Sequence, residues 1–341
     1  MKEFNIKKLV RKNILELQPY ISFRDQNEFE NPVFMDANES PFGEYSRYPD
    51  STQKELKNKL ATLKDVSAPK IAVGNGSDEL IDLIIKIFCE PKKDSIMMMN
   101  PSFAMYRFYA SINENTVVTL NLDENFQISK DAFLKVSEEK KPKIFFLCSP
   151  NNPTGNSIQD IEFYIKNFDG IVVVDEAYIE FSEQTSCIEL LGKYPNLIVL
   201  QTFSKAWGMA GARVGIAYSS DEIISLINTV KAPYNVNSLS LNKIMQLINY
   251  KNIIEENIKN TLSEISRLKN ELLTIKCVKR VFPTDANFFL IEFNNAEKVY
   301  QELLKNEILT SKRSPQIPDC IRINVGKRDE NNKLINVLKS I

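Results

Sequence analysis

The chain has 341 residues, which is enough for one large α/β domain and a smaller one. It carries 43 Lys and Arg against 44 Asp and Glu, a net charge of -1 without a basic tract. This balance argues against nucleic acid and anionic membrane surfaces as partners, and no apolar run approaches the roughly 18 residues of a membrane span.

The N-terminus is charged and lacks a signal-peptide core, and the five cysteines are scattered without CxxC pairing. We therefore expect a cytoplasmic protein with reduced thiols. The sequence contains no histidine, which excludes Ser-His-Asp catalysis, Cys-His catalysis and His-ligated metal sites. We predict no metal site, and proton transfer must use Lys, Asp, Glu, Tyr or Cys.

The chain divides into three predicted parts: an N-terminal arm at 1–30, a large domain at 31–232, and an interdomain helix with a small C-terminal domain at 233–341. The arm has apolar residues at helical spacing that we expect to pack on the body of the protein. These residues are Ile6, Leu9, Val10, Ile14 and Leu17.

The large domain is predicted to contain a doubly wound, mostly parallel sheet. A predicted helix at 53–64 precedes the first strand, and further apolar strands then alternate with helices, each strand closing in a polar loop. Ligands of such sheets bind at the carboxyl ends of the strands. The predicted strands are 70–73, 95–99, 116–120, 143–148, 171–174 and 197–200.

A glycine turn follows the first of these strands, and Ser77 and Asp78 then open an apolar helix that is predicted to end near Cys89. A strand, a glycine turn and a helix start together form an anion-binding layout, although simple N-capping by Ser77 or Asp78 is the preferred interpretation of these residues taken alone. The third glycine of a dinucleotide fingerprint and the Gly-Lys-Ser/Thr of a Walker loop are both missing.

Lys205 follows the predicted strand 197–200 and is surrounded by small residues and Trp207. A single lysine is more often a solvated surface residue, but poor hydration disfavours the ammonium form and makes an amine nucleophilic. Thr202, Ser204 and Arg213 offer two hydroxyls and a cation, a set suited to phosphate. A nucleophilic amine beside a phosphate site predicts pyridoxal phosphate, bound as a Schiff base.

Two further charged residues lie among apolar ones. Asp175 ends the strand 171–174, where a desolvated carboxylate needs a cation such as a protonated pyridine nitrogen. Beyond a hinge at 231–237 and one long helix at 238–273, strands are predicted at 279–282, 287–293 and 320–325. Arg322 lies inside the last strand and is suited to anchoring a carboxylate or phosphate, although an exposed face of the strand would also explain it.

These motifs resemble, in order and spacing, those of the class-II, fold-type I aminotransferases that use pyridoxal phosphate. Within that family the chain is most similar to the histidinol-phosphate aminotransferases, and the resemblance spans nearly the whole chain. The segments that carry it are 19–20, 36–39, 47–49, 152–155, 175–178, 202–213 and 320–326.

The resemblance implies a role for each residue of the site. Lys205 bonds to the cofactor and then shuttles a proton, while Asp175 pairs with the ring nitrogen. Asn152 and Tyr178 contact the 3′-oxygen of the ring, and Phe103 stacks on it. The phosphate is implied to lie among Gly76, Ser77, Asp78, Thr202, Ser204 and Arg213, with Tyr48 reaching it from the neighbouring subunit of a homodimer with shared active sites.

The implied reaction converts histidinol phosphate and 2-oxoglutarate to imidazole acetol phosphate and glutamate, a step of histidine biosynthesis. One site must then bind a carboxylate or a phosphate, which suits the planar fork of arginine. We assign Arg322 to that role, with Tyr20 and Asn38 at the substrate end. The family usually has a second arginine soon after the segment 308–309, and a short shift assigns Arg313 or, alternatively, Lys312.

Three alternatives remain at this stage. An aromatic aminotransferase or a phospho-amino-acid decarboxylase would use the same cofactor residues. A nucleotide hydrolase with a magnesium-binding strand at 172–176 would need a phosphate loop that the chain lacks. A regulator that only binds ligands would need a DNA-binding extension, which is also missing.

Overall fold

A seven-stranded sheet forms the centre of the large domain in the computed structural model, which describes residues 4–27, 29 and 31–341. Its strand order is β1-β7-β6-β5-β4-β2-β3. The neighbours from β6 to β3 are parallel, whereas β7 is antiparallel to both β1 and β6. The strands are β1 (Ile71–Asn75), β2 (Ser95–Asn100), β3 (Thr116–Asn121), β4 (Ile144–Cys148), β5 (Ile171–Asp175), β6 (Leu197–Thr202) and β7 (Val214–Ser219).

The predicted mostly parallel sheet is therefore confirmed, with one strand that the sequence analysis did not predict. All residues of β4, β5, β6 and β7 are buried, as expected of strands covered by helices on both faces. The missed strand, β7, contains Gly215, where an added Cβ would lie 2.3 Å from the backbone nitrogen of Ser77. Glycine therefore lets the first turn of the helix that begins at Gly76 approach the sheet.

Helices cover this sheet, and the predicted helix that opens at Ser77 is confirmed. It buries Leu80, Ile81 and Ile84 against the sheet through an apolar stripe. The helices of this domain are α1 (Lys12–Leu15), α2 (Lys54–Lys64), α3 (Gly76–Phe88), α4 (Met105–Ile112), α5 (Lys130–Lys140), α6 (Ile161–Lys166) and α7 (Asp221–Val230).

A second, four-stranded antiparallel sheet has the order β10-β11-β9-β8 and its own apolar core. Its strands are β8 (Val278–Val281), β9 (Phe288–Phe293), β10 (Ser311–Lys312) and β11 (Cys320–Asn324). The helices of this half are α8 (Ser238–Ile248), α9 (Lys251–Leu272), α10 (Ala296–Lys305) and α11 (Arg328–Lys339). The boundaries 31–232 and 233–341 stay predictions.

The prediction of a single helix at 238–273 is wrong, because the chain forms two separate helices there, α8 and α9. The backbone amides of Asn249 and Tyr250 donate to the carbonyls of Gln246 and Leu247 at 3.1 and 2.8 Å. These bonds span three residues instead of four, so they tighten the chain into a turn that ends α8. Lys59 of α2 also donates to the Asn249 side chain (3.1 Å), which anchors the turn.

The described part of the predicted arm packs on the large domain as two short helical turns, a 3₁₀ helix at Ile6–Lys8 and α1. Ile6, Val10 and Ile14 are buried in the large core, whereas Leu17 is 46% exposed, against expectation. The chain turns away after α1, so the helical spacing no longer holds there. Residues 1–3, 28 and 30 of the arm lie outside the described residues. Among the described helices, none is long and apolar enough to span a membrane.

Candidate active site

A cavity of about 130 Å³ lies where the carboxyl ends of β4, β5 and β6 meet the N-terminal end of α3. Parallel strands bring the loops after their carboxyl ends to one edge of a sheet, so residues distant in sequence meet here. Most of the predicted cofactor residues line this cavity. The lining comprises Ser77, Asp78, Phe103, Cys148, Asn152, Asp175, Ala177, Tyr178, Thr202, Ser204, Lys205, Ala210 and Arg213.

Lys205 lies on the loop that follows β6 and points its amine toward Tyr178, with Nζ 5.6 Å from the centre of that ring. Among the described residues, no group forms a hydrogen bond with Nζ. Loss of hydration in the cavity, followed by the nearby charge of Arg322, lowers the pKa of Lys205. Its side chain still reaches solvent at the cavity mouth, so the amine is both accessible and more easily deprotonated.

Asp175 is the last residue of β5 and is only 2% exposed. Its Oδ2 accepts a hydrogen bond from the Tyr106 hydroxyl (2.6 Å), and its Oδ1 accepts one from the backbone amide of Ala177 (3.1 Å). Burial raises the pKa of this carboxyl. No described lysine or arginine forms an ion pair with it, so a buried carboxylate here lacks the cation that it needs.

The predicted phosphate residues surround the first turn of α3. Arg213 donates to Asp78 (3.1 Å), and an added Cβ on Gly76 would lie only 2.7 Å from Arg213 Nη2. Gly76 itself has a φ of +77°, a backbone conformation that favours glycine. The Thr202 hydroxyl donates to the Ser204 hydroxyl (3.0 Å). Together with the positive end of the α3 dipole, these groups can hold a phosphate.

Arg322 reaches the cavity edge from β11 of the small domain. Its Nη1 donates to Oδ1 of Asn152, whose Nδ2 donates to the Tyr178 hydroxyl (3.4 Å). Burial raises the pKa of Tyr178, which favours the neutral phenol. The Nε of Arg322 is buried without a hydrogen-bond partner among the described residues, and so is the Nε of Arg313.

These two guanidinium groups lie close enough to affect each other. Burial and the charge of Arg322 together lower the pKa of Arg313, whose Nη2 donates to Gln316 (2.5 Å). Within the described chain, neither arginine forms an ion pair with a carboxylate. Two guanidinium groups whose Nε donors have no hydrogen-bond partner among the described residues are suited to binding an anionic substrate group.

The structure does not bring Tyr20, Asn38 or Tyr48 to this cavity. All three are exposed on the segment 20–48, which begins within the arm and lines larger cavities of about 440 and 400 Å³. The Tyr48 ring stacks on Tyr234 with 4.5 Å between the ring centres. Neither Lys205 nor Asp175 lines any of these larger cavities.

Tyr106 is the residue of the site that sequence reasoning missed. It lies three positions after Phe103, at the start of α4. Residues three apart on a helix share a face, so this spacing could have indicated that Tyr106 and Phe103 lie on the same side. No group of three or more Cys, Asp and Glu side chains among the described residues is arranged to hold a metal ion.

The chain matches the family model of class I and II aminotransferases over residues 23–338. A histidinol-phosphate aminotransferase from Parabacteroides distasonis is 44% identical over 342 residues, which cover 99% of each chain. The crystal structure of the histidinol-phosphate aminotransferase from Clostridium acetobutylicum is similar with a TM-score of 0.80 and 27% identity, covering 87% of this chain and 90% of that one.

A third protein, the histidinol-phosphate aminotransferase from Sinorhizobium meliloti, was crystallised in complex with pyridoxal-5′-phosphate. It is similar with a TM-score of 0.78 over 89% of each chain. At 20% identity this similarity is evidence for a shared fold only. The family model and the first relative both extend over nearly the whole chain. The chain therefore belongs to the class I and II aminotransferase family.

Proposed function

We propose that the protein transfers an amino group between histidinol phosphate and 2-oxoglutarate, giving imidazole acetol phosphate and glutamate, with pyridoxal 5′-phosphate as cofactor. One observation carries the proposal: a single cavity combines an accessible amine, a buried carboxylate without a cation, and a phosphate-binding helix end. The 44% identity to a histidinol-phosphate aminotransferase over 99% of the chain supports the substrate.

The residues present fit this cofactor. Asp175 would pair with its ring nitrogen, Phe103 would lie against its ring, and Asn152 and Tyr178 would contact its ring oxygen. The phosphate would be held by Gly76, Ser77, Asp78, Thr202, Ser204 and Arg213. When bound, the cofactor supplies an aldehyde for amines and a ring that accepts electrons from the carbon attached to the substrate nitrogen.

Lys205 performs two tasks in this proposal. Its neutral amine attaches the cofactor covalently and, once released, takes the proton from the substrate Cα and later returns a proton. Both tasks require an unprotonated Nζ, which the partial loss of water and the nearby Arg322 favour. Activity should therefore fall on the acidic side, as Lys205 becomes protonated.

Arg322 and Arg313 bind the anionic end of each substrate. Their unpartnered Nε atoms and the absence of a carboxylate partner among the described residues leave hydrogen-bond donors for a phosphate or a carboxylate. Because Arg322 also donates a hydrogen bond to Asn152, this anion site would lie next to the residues that we propose contact the ring oxygen of the cofactor. One guanidinium surface can then serve both substrates in turn.

We further propose a homodimer with shared active sites, in which Tyr48 of each copy reaches the phosphate of the other copy's cofactor and Tyr20 and Asn38 contact substrate. The support is a concentration of exposed apolar side chains at positions 20–48 that the rest of the described chain leaves uncovered. These are Tyr20, Ile21, Phe23, Phe29, Val33, Met35, Phe42, Tyr45 and Tyr48.

We also propose a cytoplasmic location, which agrees with the five free cysteines.

The test is an assay of the purified protein, loaded with pyridoxal phosphate, with histidinol phosphate and 2-oxoglutarate. We expect glutamate to form in proportion to the histidinol phosphate consumed. Carbon dioxide release from phosphothreonine or phosphoserine without glutamate formation would overturn the proposal in favour of a decarboxylase. A higher kcat/KM for phenylalanine or tyrosine than for histidinol phosphate would favour an aromatic aminotransferase.

A further inference from the structure

Asp175 is held by two hydrogen bonds, one to each oxygen, from the Tyr106 hydroxyl (2.6 Å) and the Ala177 amide (3.1 Å). A carboxylate held at one oxygen alone would turn easily about its last torsion, which has a broad energy minimum. The amide comes from Asp175's own strand end, whereas Tyr106 comes from α4, 69 residues earlier. The orientation of this carboxylate therefore depends on Tyr106.

We propose that Tyr106 is a positioning residue that aims the Asp175 carboxylate at the ring nitrogen of the cofactor. This inference rests on the cofactor placement in the proposed function.

Tyr106 is itself rigidly placed. It is fully buried, and its ring stacks on Phe146 of β4 with 4.6 Å between centres and an angle of 11°. Its other neighbour is Phe103, whose ring meets it edge-on at 5.5 Å and 84°. One side chain thus contacts both the carboxylate for the ring nitrogen and the aromatic group for the ring face, so it couples their positions.

The chemistry of a tyrosine suits this position in a chain without histidine. Burial and the charge of Asp175 raise the pKa of Tyr106 well above its ordinary value, so it remains a neutral donor. A neutral donor orients the carboxylate but leaves its negative charge for the cationic ring nitrogen. A lysine or arginine in the same place would neutralise that charge before the cofactor binds.

The other groups near Asp175 do not supply this bond. The Cys148 thiol donates to the Pro150 carbonyl (3.4 Å), and burial raises its pKa, so it too is neutral. Lys205 and Asp78 influence Asp175 only through their charges, in opposite directions. Tyr106 is therefore the side chain through which the fold controls this carboxylate.

The test is a double-mutant cycle of Tyr106→Phe and Asp175→Asn, measured as the dissociation constant of pyridoxal phosphate from the apo-protein. Tyr106→Phe should weaken binding roughly 10- to 100-fold, because it removes one hydrogen bond to a charged group. In the Asp175→Asn background, the same change should cost less than about 3-fold, since the two residues act as a unit.

Tyr218→Phe is the matched control, because Tyr218 is fully buried in the same core and its hydroxyl has no partner among the described residues. It should leave the dissociation constant unchanged. An equal loss from Tyr106→Phe in both backgrounds would show an effect independent of Asp175 and would overturn the inference. If Asp175→Asn alone left cofactor binding intact, the proposed cofactor placement would fail instead.

A second variant covers the case in which Tyr106→Phe does not fold. Phe146→Leu loosens the stack under Tyr106 and keeps its hydroxyl. It should also weaken cofactor binding in the wild-type background and have little further effect when Asp175 is Asn. A loss of the same size in both backgrounds would again contradict the role of Tyr106.

Discussion

The cavity around Lys205 and the segment 20–48 differ in what a single chain provides. In the cavity, Asp175 and Asn152 are buried and have hydrogen-bond partners within the described chain. In the segment, Met35 is 90% exposed, and several aromatic side chains are also exposed. A single chain therefore holds the side chains of the cavity in place, whereas the exposed segment is the surface at which we propose that the partner copy docks.

Ion pairs, not an apolar core, give the segment its shape. Glu39 is nearly buried and accepts hydrogen bonds from Arg24 (2.7 Å), Arg47 (2.8 Å) and the Tyr48 amide (2.6 Å). The bond from Arg24 contributes most to lowering the pKa of Glu39 to about 2. Strand ends therefore position the candidate catalytic groups, whereas a charged cluster holds Tyr48 at the surface. Three predictions on activity and one on stability test this contrast.

The largest effect is expected at the cavity. Lys205→Ala should lower kcat by at least about 1,000-fold, because it removes the group that attaches the cofactor and moves the proton. Borohydride should no longer fix the cofactor to the protein, which mass spectrometry can measure. Lys333→Ala, an exposed change on α11, is the control and should retain both properties. Retained activity in Lys205→Ala would exclude this lysine as the reacting amine.

Arg322→Lys should raise KM for both substrates roughly 10- to 100-fold with a smaller change in kcat, because an ammonium cannot reproduce the planar fork. Steady-state kinetics with histidinol phosphate and with 2-oxoglutarate measure this effect. Arg280→Lys, on β8 of the same sheet and exposed, should behave as wild type. An unchanged KM for both substrates would place the anion site elsewhere, with Arg313 as the next residue to examine.

Mixing two defective variants tests whether the exposed segment serves the partner's cavity. Tyr48→Ala should lower activity roughly 10-fold or more, because it removes one charge-assisted hydrogen bond to the phosphate of the partner's cofactor. When it is dissociated and reassembled with Lys205→Ala, half of the dimers are mixed and each has one intact site, so about a quarter of wild-type activity should return. No recovery in a verified mixed dimer would mean that Tyr48 acts within its own chain.

An effect on stability instead of activity is expected at Lys231, where the hinge meets the large domain. Its buried Nζ donates to Gln53 (2.8 Å) and to the carbonyl of Val73 (3.4 Å), and burial lowers its pKa from 10.5 to about 8. Below pH 8 both the folded and the unfolded chain are protonated there, so the cost of burying the charge is constant. Between pH 8 and 10.5 only the folded chain releases the proton, so stability rises with pH.

This rise in the free energy of unfolding should amount to at most about 3 kcal/mol. Lys231→Met should lack it, whereas the exposed change Lys333→Met should keep it. Urea unfolding between pH 7 and 10.5 measures the difference. An identical pH profile for Lys231→Met and wild type would show that Lys231 remains hydrated in the folded protein.

Much of the fold was predictable because its signals are local. The apolar runs of β4, β5 and β6 identify buried parallel strands, and the polar residues after them identify the ligand edge. Prediction failed where the deciding contact lies elsewhere in the chain. The break between α8 and α9 depends on a turn anchored by Lys59, and β7 depends on Gly215 fitting against Ser77.

Residue type and position at a strand end were enough to predict an amine at Lys205, a carboxylate at Asp175 and a cation for phosphate at Arg213, since both are properties of short segments. The hydrogen bond from Tyr106 to Asp175, 69 residues away, and the one from Arg322 to Asn152, 170 residues away, are visible only in the folded chain. Such hydrogen bonds depend on how separate elements pack, which no periodicity within one element records.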